Sequence, residues 1–461
     1  MKIHNIKLIK EILKKVFNVV TNLTFNCFFI IYGNKIFSLI YINKVCNVNT
    51  NLLLKIADEF GTPTYVYDSE KIKSQYLRLK NAFKRVKDLQ INYAVKASSN
   101  ISILRFLNNL GSGIDAVSIQ EVKLALSCGF KAEKIIYTPN GVSIKEIEDV
   151  SSLGVKINID NLSILEEFGN KNSGIDVCVR INPHILAGGN SKISVGHIDS
   201  KFGISIHQTP HLLRIIKNTN IKVNGIHMHT GSDILDTSVF LQASEILFDL
   251  ASKLDFLEFI DFGSGFKVPY YQGDSETNIE ELGDKLSQRF NEFCSVYGRD
   301  LKLIFEPGKY IISEAGVFLC RVNSIKQTTS TVFAQVDSGF NHLIRPMMYG
   351  ANHSIENISN QKDVERYYSV VGYICETDTF ATNIKLKNVS TDDILCFKNA
   401  GAYCFSMASN YNSRYRPKEI LWIDHEAHLI RKEEKFDDLI RNQVELDSEI
   451  LIKSVNNTRA N

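Results

Sequence analysis

A lysine follows directly on a short alternating apolar run, Ile91-Asn92-Tyr93-Ala94-Val95, which is typical of a β-strand. An amine packed beside apolar neighbours favours its neutral form, so its pKa falls, and a neutral amine can capture a carbonyl carbon as a Schiff base. Lys96 is therefore a candidate nucleophile. Taken alone, the segment also fits a lysine that reaches from a strand end into solvent.

Polar residues also follow the ends of other predicted strands. They are Asp115 and Ser118 at the second strand, Arg180 at the fifth, His227, His229 and Ser232 at the sixth, Gly263-Ser264-Gly265 at the seventh, and Glu306-Pro307-Gly308-Lys309 at the eighth. In a barrel of parallel strands, the carboxyl ends of the strands carry the chemistry. Together these residues predict a site for a ligand with an anionic head, a planar body and an electrophilic carbon.

The loop at 263–265 is the candidate for binding the anionic head. Its Gly-Ser-Gly sequence has little side-chain bulk, so backbone N–H groups can approach an anion closely, and the hydroxyl of Ser232 can assist. Loops after the seventh and eighth strands are where such barrels usually hold phosphate. A pair of turn glycines without a ligand is the competing interpretation.

His227 and His229 are two residues apart and so share one face of a strand. Such a pair can bind a metal ion, as in barrel hydrolases, but we identify no further ligands for it and predict no metal site. We expect His229 to stack on a flat heteroaromatic ring and His227 to be a core side chain. Glu306 is either a solvated turn carboxylate or the partner of a pyridine nitrogen, which it would keep cationic and able to take up carbanion charge.

These residues need a scaffold, and the alternation of apolar strands with amphipathic segments supplies one. Eight strands are predicted near 91–96, 114–117, 134–138, 155–159, 175–181, 223–229, 256–262 and 302–306. Eight parallel strand-helix units predict an α/β fold with a closed (β/α)8 barrel. After residue 310 short β segments follow one another without regular helices, which predicts a second, all-β domain.

The predicted domains are a barrel at 68–310 and a β domain at 311–435, completed by one or more strands within 41–67. Residues 1–40 are predicted to be an N-terminal extension and 436–461 a tail. Lysines precede a charge-free run at 16–34, an outline typical of a targeting or anchor segment, but Asn and Thr residues interrupt the run and no small-residue cleavage site follows. We expect a cytoplasmic protein without a membrane partner, with an N-terminal anchor as the alternative.

Composition limits the class of ligand. The chain has 461 residues, 44% hydrophobic and 23% charged, which suffices for one large domain and a smaller one. The formal net charge is +2 without long blocks of one sign, which argues against nucleic acid as a partner and favours a small molecule. The 9 cysteines are scattered without a Cys-x-x-Cys motif, as is typical of reduced thiols in a cytosol-like compartment.

From about Phe60 to Trp422 the sequence resembles the fold type III pyridoxal-phosphate-dependent decarboxylases, and among them the diaminopimelate decarboxylases. The ordered motifs that carry the resemblance are YAVKA at 93–97, GIDAVS at 113–118, RINP at 180–183, SKFG at 200–203, HMHTGS at 227–232, GSG at 263–265, EPGK at 306–309, RPMMY at 345–349, CETD at 375–378 and NAGAY at 399–403. The resemblance implies an alanine-racemase-like fold and a pyridoxal 5'-phosphate cofactor.

The resemblance also implies roles around that cofactor. Lys96 would hold it covalently, His229 would stack on its ring, Glu306 would pair with the pyridine nitrogen, and Arg180 would lie near the phenolic oxygen. The phosphate would be held by Ser232, Gly263, Ser264, Gly265 and Tyr403, and further cofactor contacts would come from Asp115, Pro307, Gly308 and Lys309.

Cys375 is implied to return a proton to carbon after carbon dioxide is lost, acting from the neighbouring subunit. A thiol suits that task because its pKa lies near working pH. The alternative for Cys375 is a buried thiol of the β domain. A site shared in this way implies an obligate homodimer.

The same resemblance implies the substrate. Arg345 and Tyr349 would bind the distal carboxylate of meso-2,6-diaminopimelate, and Glu376 could receive its distal ammonium, with Lys309 and Tyr403 as further substrate contacts. Arginine matches a carboxylate with two parallel donors, whereas ornithine or arginine as substrate would need an acid instead. The implied reaction is a carboxy-lyase step of lysine biosynthesis that yields L-lysine and carbon dioxide. Carboxynorspermidine decarboxylase is the nearest alternative, and a metal-dependent barrel hydrolase or a non-catalytic cofactor-binding protein is disfavoured.

The chain departs from the family pattern at several positions. Lys309 stands where arginine is more usual, which replaces a planar fork by a point charge and leaves phosphate and substrate carboxylate open as its partner. Asp233 replaces a usual glutamine, and Ser264 interrupts a run of glycines. Asp378 follows Glu376 after one residue instead of the commoner two.

Overall fold

The structure is a computed structural model, and it describes residues 49–185, 200–271 and 273–452 in full. Before them it describes the backbone of two short strands, β1 (Ile30–Tyr32) and β2 (Lys35–Phe37), which pair antiparallel. The other residues of the predicted extension at 1–40, and those of the predicted tail after 452, lie outside the described residues.

The first helix, α1 (Thr50–Phe60), lies in the segment for which only strands were expected. The side chain of Asn49 caps its N terminus, and the buried Leu53, Ile56 and Ala57 follow helical spacing. The expected strand comes after this helix as β3 (Thr64–Asp68). Sequence analysis overlooked the helix because its apolar stripe is only three residues long.

Eight parallel strands form a closed barrel, which confirms the predicted fold class. They are β4 (Leu89–Ala94), β5 (Gly113–Ala116), β6 (Ile135–Tyr137), β7 (Lys156–Ile159), β8 (Asp176–Asn182), β10 (Lys222–Met228), β11 (Phe259–Asp261) and β12 (Lys302–Phe305), while a short β9 (Ile204–Ser205) adds to β8. β8 pairs with β10, and β12 pairs back with β4, so the sheet closes. All eight strands therefore end at one mouth.

Helices cover the outside of the barrel. They are α2 (Ser69–Ala82), α3 (Ile101–Asn109), α4 (Ile119–Ser127), α5 (Ile144–Ser151), α6 (Leu162–Lys171), α7 (Thr209–Thr219), α8 (Thr237–Ala251) and α9 (Ile279–Tyr297). Polar side chains such as Asn100, Ser118 and Asn161 accept hydrogen bonds from first-turn N–H groups and fix where helices begin. Over the ranges 49–185, 200–271 and 273–452, the helices are all too short or too polar to cross a membrane.

The second domain is built on β-strands, as predicted. Its elements are α10 (Lys309–Ile312), β13 (Gly316–Gln327), β14 (Val332–Val336), α11 (Arg345–Tyr349), β15 (Ile355–Asn357), β16 (Glu365–Val371), β17 (Thr379–Lys387), β18 (Ile394–Phe397), β19 (Lys418–Ile423), β20 (Glu426–Arg431) and α12 (Phe436–Ile440). β3 lies inside this sheet, antiparallel to β13 and parallel to β19. The chain therefore enters this sheet with β3, runs through the barrel and returns to the sheet with β13. The residue numbers predicted for the domain boundaries remain predictions.

The β domain holds the turn that carries Lys96. That turn is a short 3-10 helix, Val95–Ala97, directly after β4. The carbonyl of Ala97 accepts hydrogen bonds from the backbone N–H of Tyr403 (2.8 Å) and the hydroxyl of Ser406 (3.2 Å). Lys96 is thus positioned by both domains.

A buried carboxylate strengthens the same junction. Glu419 on β19 is completely buried and pairs with Arg431 on β20. It accepts hydrogen bonds from the hydroxyl of Tyr67 (2.8 Å) and the side-chain amide of Asn100 (2.9 Å), the residue that caps α3 after the Lys96 turn. Its charge therefore has three donors around it, as a buried carboxylate requires.

We expect Glu419→Ala to lower the free energy of unfolding by about 3 kcal/mol, because it leaves two buried donors without an acceptor. The control is Glu426→Ala on the neighbouring strand, whose side chain is 76% exposed and which should change stability by less than about 0.5 kcal/mol. Urea denaturation followed by circular dichroism measures both variants. Equal effects at the two positions would contradict this account of the junction.

Candidate active site

A cavity of about 430 Å³ opens at the C-terminal ends of the barrel strands. Eleven of the predicted site residues line it: Lys96, Asp115, Arg180, His229, Ser232, Ser264, Gly265, Glu306, Gly308, Lys309 and Tyr403. They come from different strand ends and, for Tyr403, from the β domain. The structure thus brings most of the predicted residues together around one space of a size suited to a small molecule.

Lys96 faces this cavity with 43% of its side chain accessible. Its Nζ lies 3.0 Å from Oδ2 of Asp115, a buried carboxylate at the end of β5. Burial lowers the pKa of the Lys96 amine, but Asp115, Tyr403 and Glu306 together outweigh that effect and raise the pKa above its ordinary value. The expected fall in pKa is therefore wrong, because sequence analysis counted the apolar neighbours and not the carboxylates across the barrel.

Glu306 follows β12 at the floor of the cavity and contacts His227. Nε2 of His227 is 3.0 Å from Oε2 of Glu306, and the ring is neutral because burial holds its pKa well below the usual range. Polar atoms of His227, Asp261 and Glu306 all lie within 4.8 Å of one another. The expectation that His227 has no further metal-type ligands nearby is wrong, since the ends of β11 and β12 supply two carboxyl groups, but we assign no metal ion to them.

His229 lies just beyond β10 and has a different environment. Its Nδ1 accepts a hydrogen bond from the backbone N–H of Ser264 (3.3 Å), which fixes the ring at the cavity wall. Burial lowers the pKa of His229 well below its ordinary value, so the ring is an uncharged flat surface. Both rings line the cavity, but they differ in their contacts: His229 accepts from a backbone N–H group, whereas His227 contacts the buried carboxylate of Glu306.

The two glycines of the loop at 263–265 lie where there is room for backbone only. A Cβ atom on Gly263 would lie 2.6 Å from the carbonyl oxygen of Met228, and one on Gly265 would lie 2.4 Å from that of Gly231. Both glycines also have positive φ, 61° and 111°. The two glycines are therefore required by the path of the chain, and Ser264 between them lines the cavity.

Two departures from the family pattern contact each other. Nζ of Lys309 lies 2.7 Å from Oδ1 of Asp233 and donates to the hydroxyl of Ser232 at 2.8 Å. Burial lowers the pKa of Lys309, and Asp233 opposes that effect. Asp233 is thus the ionic partner of Lys309 in this structure.

Arg345 is buried near the same end of the cavity but does not line it. Its NH1 donates to the carbonyl of Ala402 (3.1 Å), and its guanidinium lies 5.3 Å from the centre of the Tyr270 ring. Nζ of Lys309 lies 6.0 Å from the centre of that ring. Tyr349 lies on α11 with Arg345. Gly263 and Pro307 also lie outside the cavity lining.

Cys375 and Glu376 are exposed and do not line this cavity. The side-chain amide of Asn412 lies 3.2 Å from Sγ of Cys375, and the hydroxyl of Tyr411 donates to Glu376. The alternative of a buried structural thiol at Cys375 is therefore wrong. Asp378, in contrast, is buried and accepts hydrogen bonds from the backbone N–H groups of Phe340 (2.8 Å) and Ile374 (3.0 Å), which is a structural contact.

Sequence analysis missed several lining residues. They are Ala94, Val117, Thr138, Asn140, Lys201, Phe202 and Phe266. Phe202 lies 4.8 Å from the guanidinium of Arg180, and Asn140 donates to Asp160 at 2.7 Å. Lys201 and Phe202 belong to the SKFG motif at 200–203, which was a signal for them, whereas Thr138 and Asn140 follow β6 outside the recognised motifs.

Residues 69–313 match the pyridoxal-binding domain of the pyridoxal-dependent decarboxylases. The chain is 39% identical to diaminopimelate decarboxylase from Methanothermobacter thermautotrophicus over 85% of this chain and 93% of that protein. The chain belongs to the diaminopimelate decarboxylase family. It is also 37% identical to the Campylobacter jejuni protein of that name, over 84% of this chain and 97% of the relative.

Solved structures give the same result. The crystal structure of diaminopimelate decarboxylase from Helicobacter pylori in complex with L-lysine superposes with a TM-score of 0.78 at 32% identity, covering 84% of this chain and 98% of that chain. These comparisons confirm the predicted family, the carboxy-lyase class and the pyridoxal phosphate cofactor.

The cavity of this family member fits such a cofactor. Oδ1 of Asp115 and Oε1 of Glu306 are buried without a hydrogen-bond partner, so two acceptors point at groups that the protein does not supply. The loop at 263–265 is a cradle that presents Ser264 and the side-chain-free Gly265 to the cavity, and Lys96 is accessible from it. Residues of the kind needed for the ring, the phosphate and the covalent anchor therefore surround one space.

We expect Gly265→Ala to weaken binding of pyridoxal phosphate at least about tenfold, because the added methyl group would push the cradle apart. The matched control is Gly273→Ala, which also has positive φ (87°) but nothing within 4 Å of an added Cβ. Fluorescence titration of the apoprotein gives both affinities. If the two variants lose affinity equally, backbone strain rather than the cradle is responsible.

Proposed function

We propose that this protein removes carbon dioxide from one end of meso-2,6-diaminopimelate and releases L-lysine. The names of the relatives support the reaction, and the L-lysine bound in a related structure corresponds to its product. The observation that carries the proposal is the accessible amine of Lys96 within a cavity that also offers an anion cradle and an unpartnered buried carboxylate. The reaction breaks the bond between Cα and its carboxylate and replaces it by a bond to hydrogen.

Pyridoxal phosphate, when bound, takes up the electron pair that remains on Cα as carbon dioxide leaves. Lys96 holds the cofactor, and Asp115 keeps the amine oriented across the mouth of the barrel. Because the amine is protonated beside Asp115, it must transfer a proton before it reacts as a nucleophile. Asp115 is the nearest base for that proton.

The cofactor ring is held by groups on three strand ends. His229 offers a neutral face on which the ring would stack, the free Oε1 of Glu306 would accept from the pyridine nitrogen, and Arg180 would neutralise the phenolic oxygen. By favouring a cationic ring nitrogen, Glu306 would strengthen the electron sink that the cofactor supplies. These roles use the side chains that line the floor and walls of the cavity.

The phosphate is held at the other end of the same cavity. The backbone N–H of Gly265 and the hydroxyls of Ser232, Ser264 and Tyr403 bind it. The N–H groups of Gly263 and Ser264 already donate to Asp261 and His229, so Gly263 shapes the loop instead. Lys309 either supplies positive charge at the phosphate end or binds the substrate carboxylate. Pro307 and Gly308 shape the turn that carries Lys309 into the cavity. The contact of Lys309 with Ser232 favours the phosphate end.

The proton that completes the product comes from Cys375 of a second subunit. Its exposed thiol does not line the cavity of its own chain, which supports a role across an interface. The S–H bond breaks, the proton forms the new bond to Cα, and the thiolate regains a proton from water. We therefore propose a homodimer with shared sites, and a cytoplasmic location that suits the free cysteines of the described chain.

Arg345 selects the substrate through its distal carboxylate, with Tyr349 on the same helix and Glu376 of the second subunit for the distal ammonium. Arg345 is buried and its Nε has no hydrogen-bond partner, so one edge of its guanidinium remains available. A buried donor without a partner favours a ligand that supplies an acceptor.

Mixing two inactive variants tests the shared site. Lys96→Ala and Cys375→Ala each abolish most of the activity, because each removes a reacting group. After equal amounts are unfolded and refolded together, about half of random dimers are mixed, and each mixed dimer has one intact site, so activity returns to about a quarter of the wild-type level. Carbon dioxide release measures it. No recovery beyond that of either variant refolded alone would contradict the shared site.

Substrate choice is tested separately at Arg345. We expect Arg345→Lys to raise KM for diaminopimelate at least about tenfold, because a point charge replaces two parallel donors. Carbon dioxide release with diaminopimelate, ornithine, arginine and carboxynorspermidine gives the comparison. Wild-type activity on ornithine alone would overturn the role of Arg345, and a preference for carboxynorspermidine would overturn the proposed substrate.

A further inference from the structure

The floor of the cavity contains more buried carboxyl groups than cations. Asp115 and Glu306 line it with Lys96 and Arg180, and Asp261 is completely buried beside Glu306, just outside the lining. His227 and His229 add no charge, because burial holds the pKa of both rings well below the usual range. If all three carboxyl groups were ionised, the floor would carry one uncompensated negative charge in a region where such a charge is costly.

Burial raises the pKa of Asp115 and of Glu306 as well, but both have nearby groups that oppose this effect and favour their ionised forms. Asp115 pairs with the ammonium of Lys96 at 3.0 Å, and Glu306 contacts Nε2 of His227 at 3.0 Å, within the field of Lys96 and Arg180. Asp261 has no cation in contact. Among the described residues it has one hydrogen bond, in which its Oδ1 accepts from the backbone N–H of Gly263 at 2.8 Å.

The other oxygen of Asp261 has an unusual position. Oδ2 is buried without a donor, and the residue is 0% exposed. Glu306 is its neighbour, with ligand atoms of the two side chains and of His227 within 4.8 Å of one another. Two carboxyl groups side by side, away from water, can both be accommodated if one proton lies between them.

We propose that Asp261 is a positioning residue that carries a proton and donates it in a hydrogen bond to Glu306, so that Glu306 stays anionic and correctly oriented beneath the cofactor ring. The floor then contains two cations and two anions. Oε2 of Glu306 then accepts from the carboxyl group of Asp261 as well as from the N–H of His227. Its Oε1 is left for the pyridine nitrogen.

The electrostatic surroundings support the assignment of the proton to Asp261. Burial, then the charge of Glu306 from β12 and that of Asp115 from β5, raise the pKa of Asp261 well above its ordinary value. The other ionisable groups facing it are Cys178 and Arg180 on β8 and His227 on β10. Of these, Arg180 alone is charged, and it is not in hydrogen-bond contact with Asp261.

The role in cofactor binding depends on the function proposed above, but the proton itself does not, so the first test uses the apoprotein. Near pH 8, the infrared spectrum of the wild type should contain the carbonyl band of a protonated carboxylic acid, and Asp261→Asn should lack it. Asparagine keeps both hydrogen bonds, since its oxygen accepts from Gly263 and its amide donates to Glu306. Asp115→Asn is the matched control and should retain the band.

A second version of the test needs no variant and so does not depend on how a variant folds. Wild-type protein is produced with isotope-labelled aspartate carboxyl groups, and its carbonyl band should shift relative to that of the unlabelled protein. Absence of the band, its loss in Asp115→Asn, or no shift on labelling would overturn the proposal. Decarboxylation by the wild type is measured separately, so a failed proton assignment and a failed function are distinguishable.

The proton also makes stability depend on pH. The folded protein retains a proton that the unfolded chain releases above about pH 4, so wild-type stability falls relative to Asp261→Asn as pH rises from that value to the folded pKa. Thermal melts of both apoproteins between pH 4 and 8 measure the difference. A difference that stays constant over this range would show that Asp261 is ionised and would overturn the proposal.

Discussion

The pairing of β12 with β4 is the constraint on which the site depends. It closes the barrel and joins strands separated by more than two hundred residues, aligning Phe305 with Ile91. Because both strands then end at the same mouth, Glu306 and Lys96 face one cavity. Closure also brings Gly308 against the Lys96 turn, where an added Cβ would lie 2.9 Å from Cβ of Ala97. An open sheet would leave these groups at opposite edges.

Closure concentrates charge in a space without much water, and the sequence contains the compensating groups. Lys96 with Asp115 and Lys309 with Asp233 form ion pairs at 3.0 and 2.7 Å. Paired in this way, the buried charges keep their groups in place without the full cost of isolated ions. The same pairing means that Lys96 and Lys309 already have partners in the free protein, so ligand binding at these two groups replaces contacts.

Much of the site could be predicted from sequence because its residues follow strands with clear patterns. Strand ends are local features, and a (β/α)8 barrel converts their order along the chain into proximity. The sequence could not predict how the side chains at one strand end change the pKa or the contacts of those at another. The pKa of Lys96 rises because Asp115 and Glu306 lie across the barrel, and the contact between Lys309 and Asp233 joins residues 76 positions apart. Both are consequences of closure rather than of local composition.

The residues that were missed have the same physical origin. Asn140 is held by Asp160 and by the carbonyl of Lys201, so its position depends on two other loops. Cys375 differs from Asn140, because its motif was recognisable from the sequence but its side chain does not line the cavity of its own chain. The thiol is exposed beside Asn412, on a domain that also anchors the Lys96 turn, so the proposed proton transfer needs the cavity of a second copy. Within the described residues of one chain, the proposed cofactor contacts share one cavity and the proposed proton donor lies outside it.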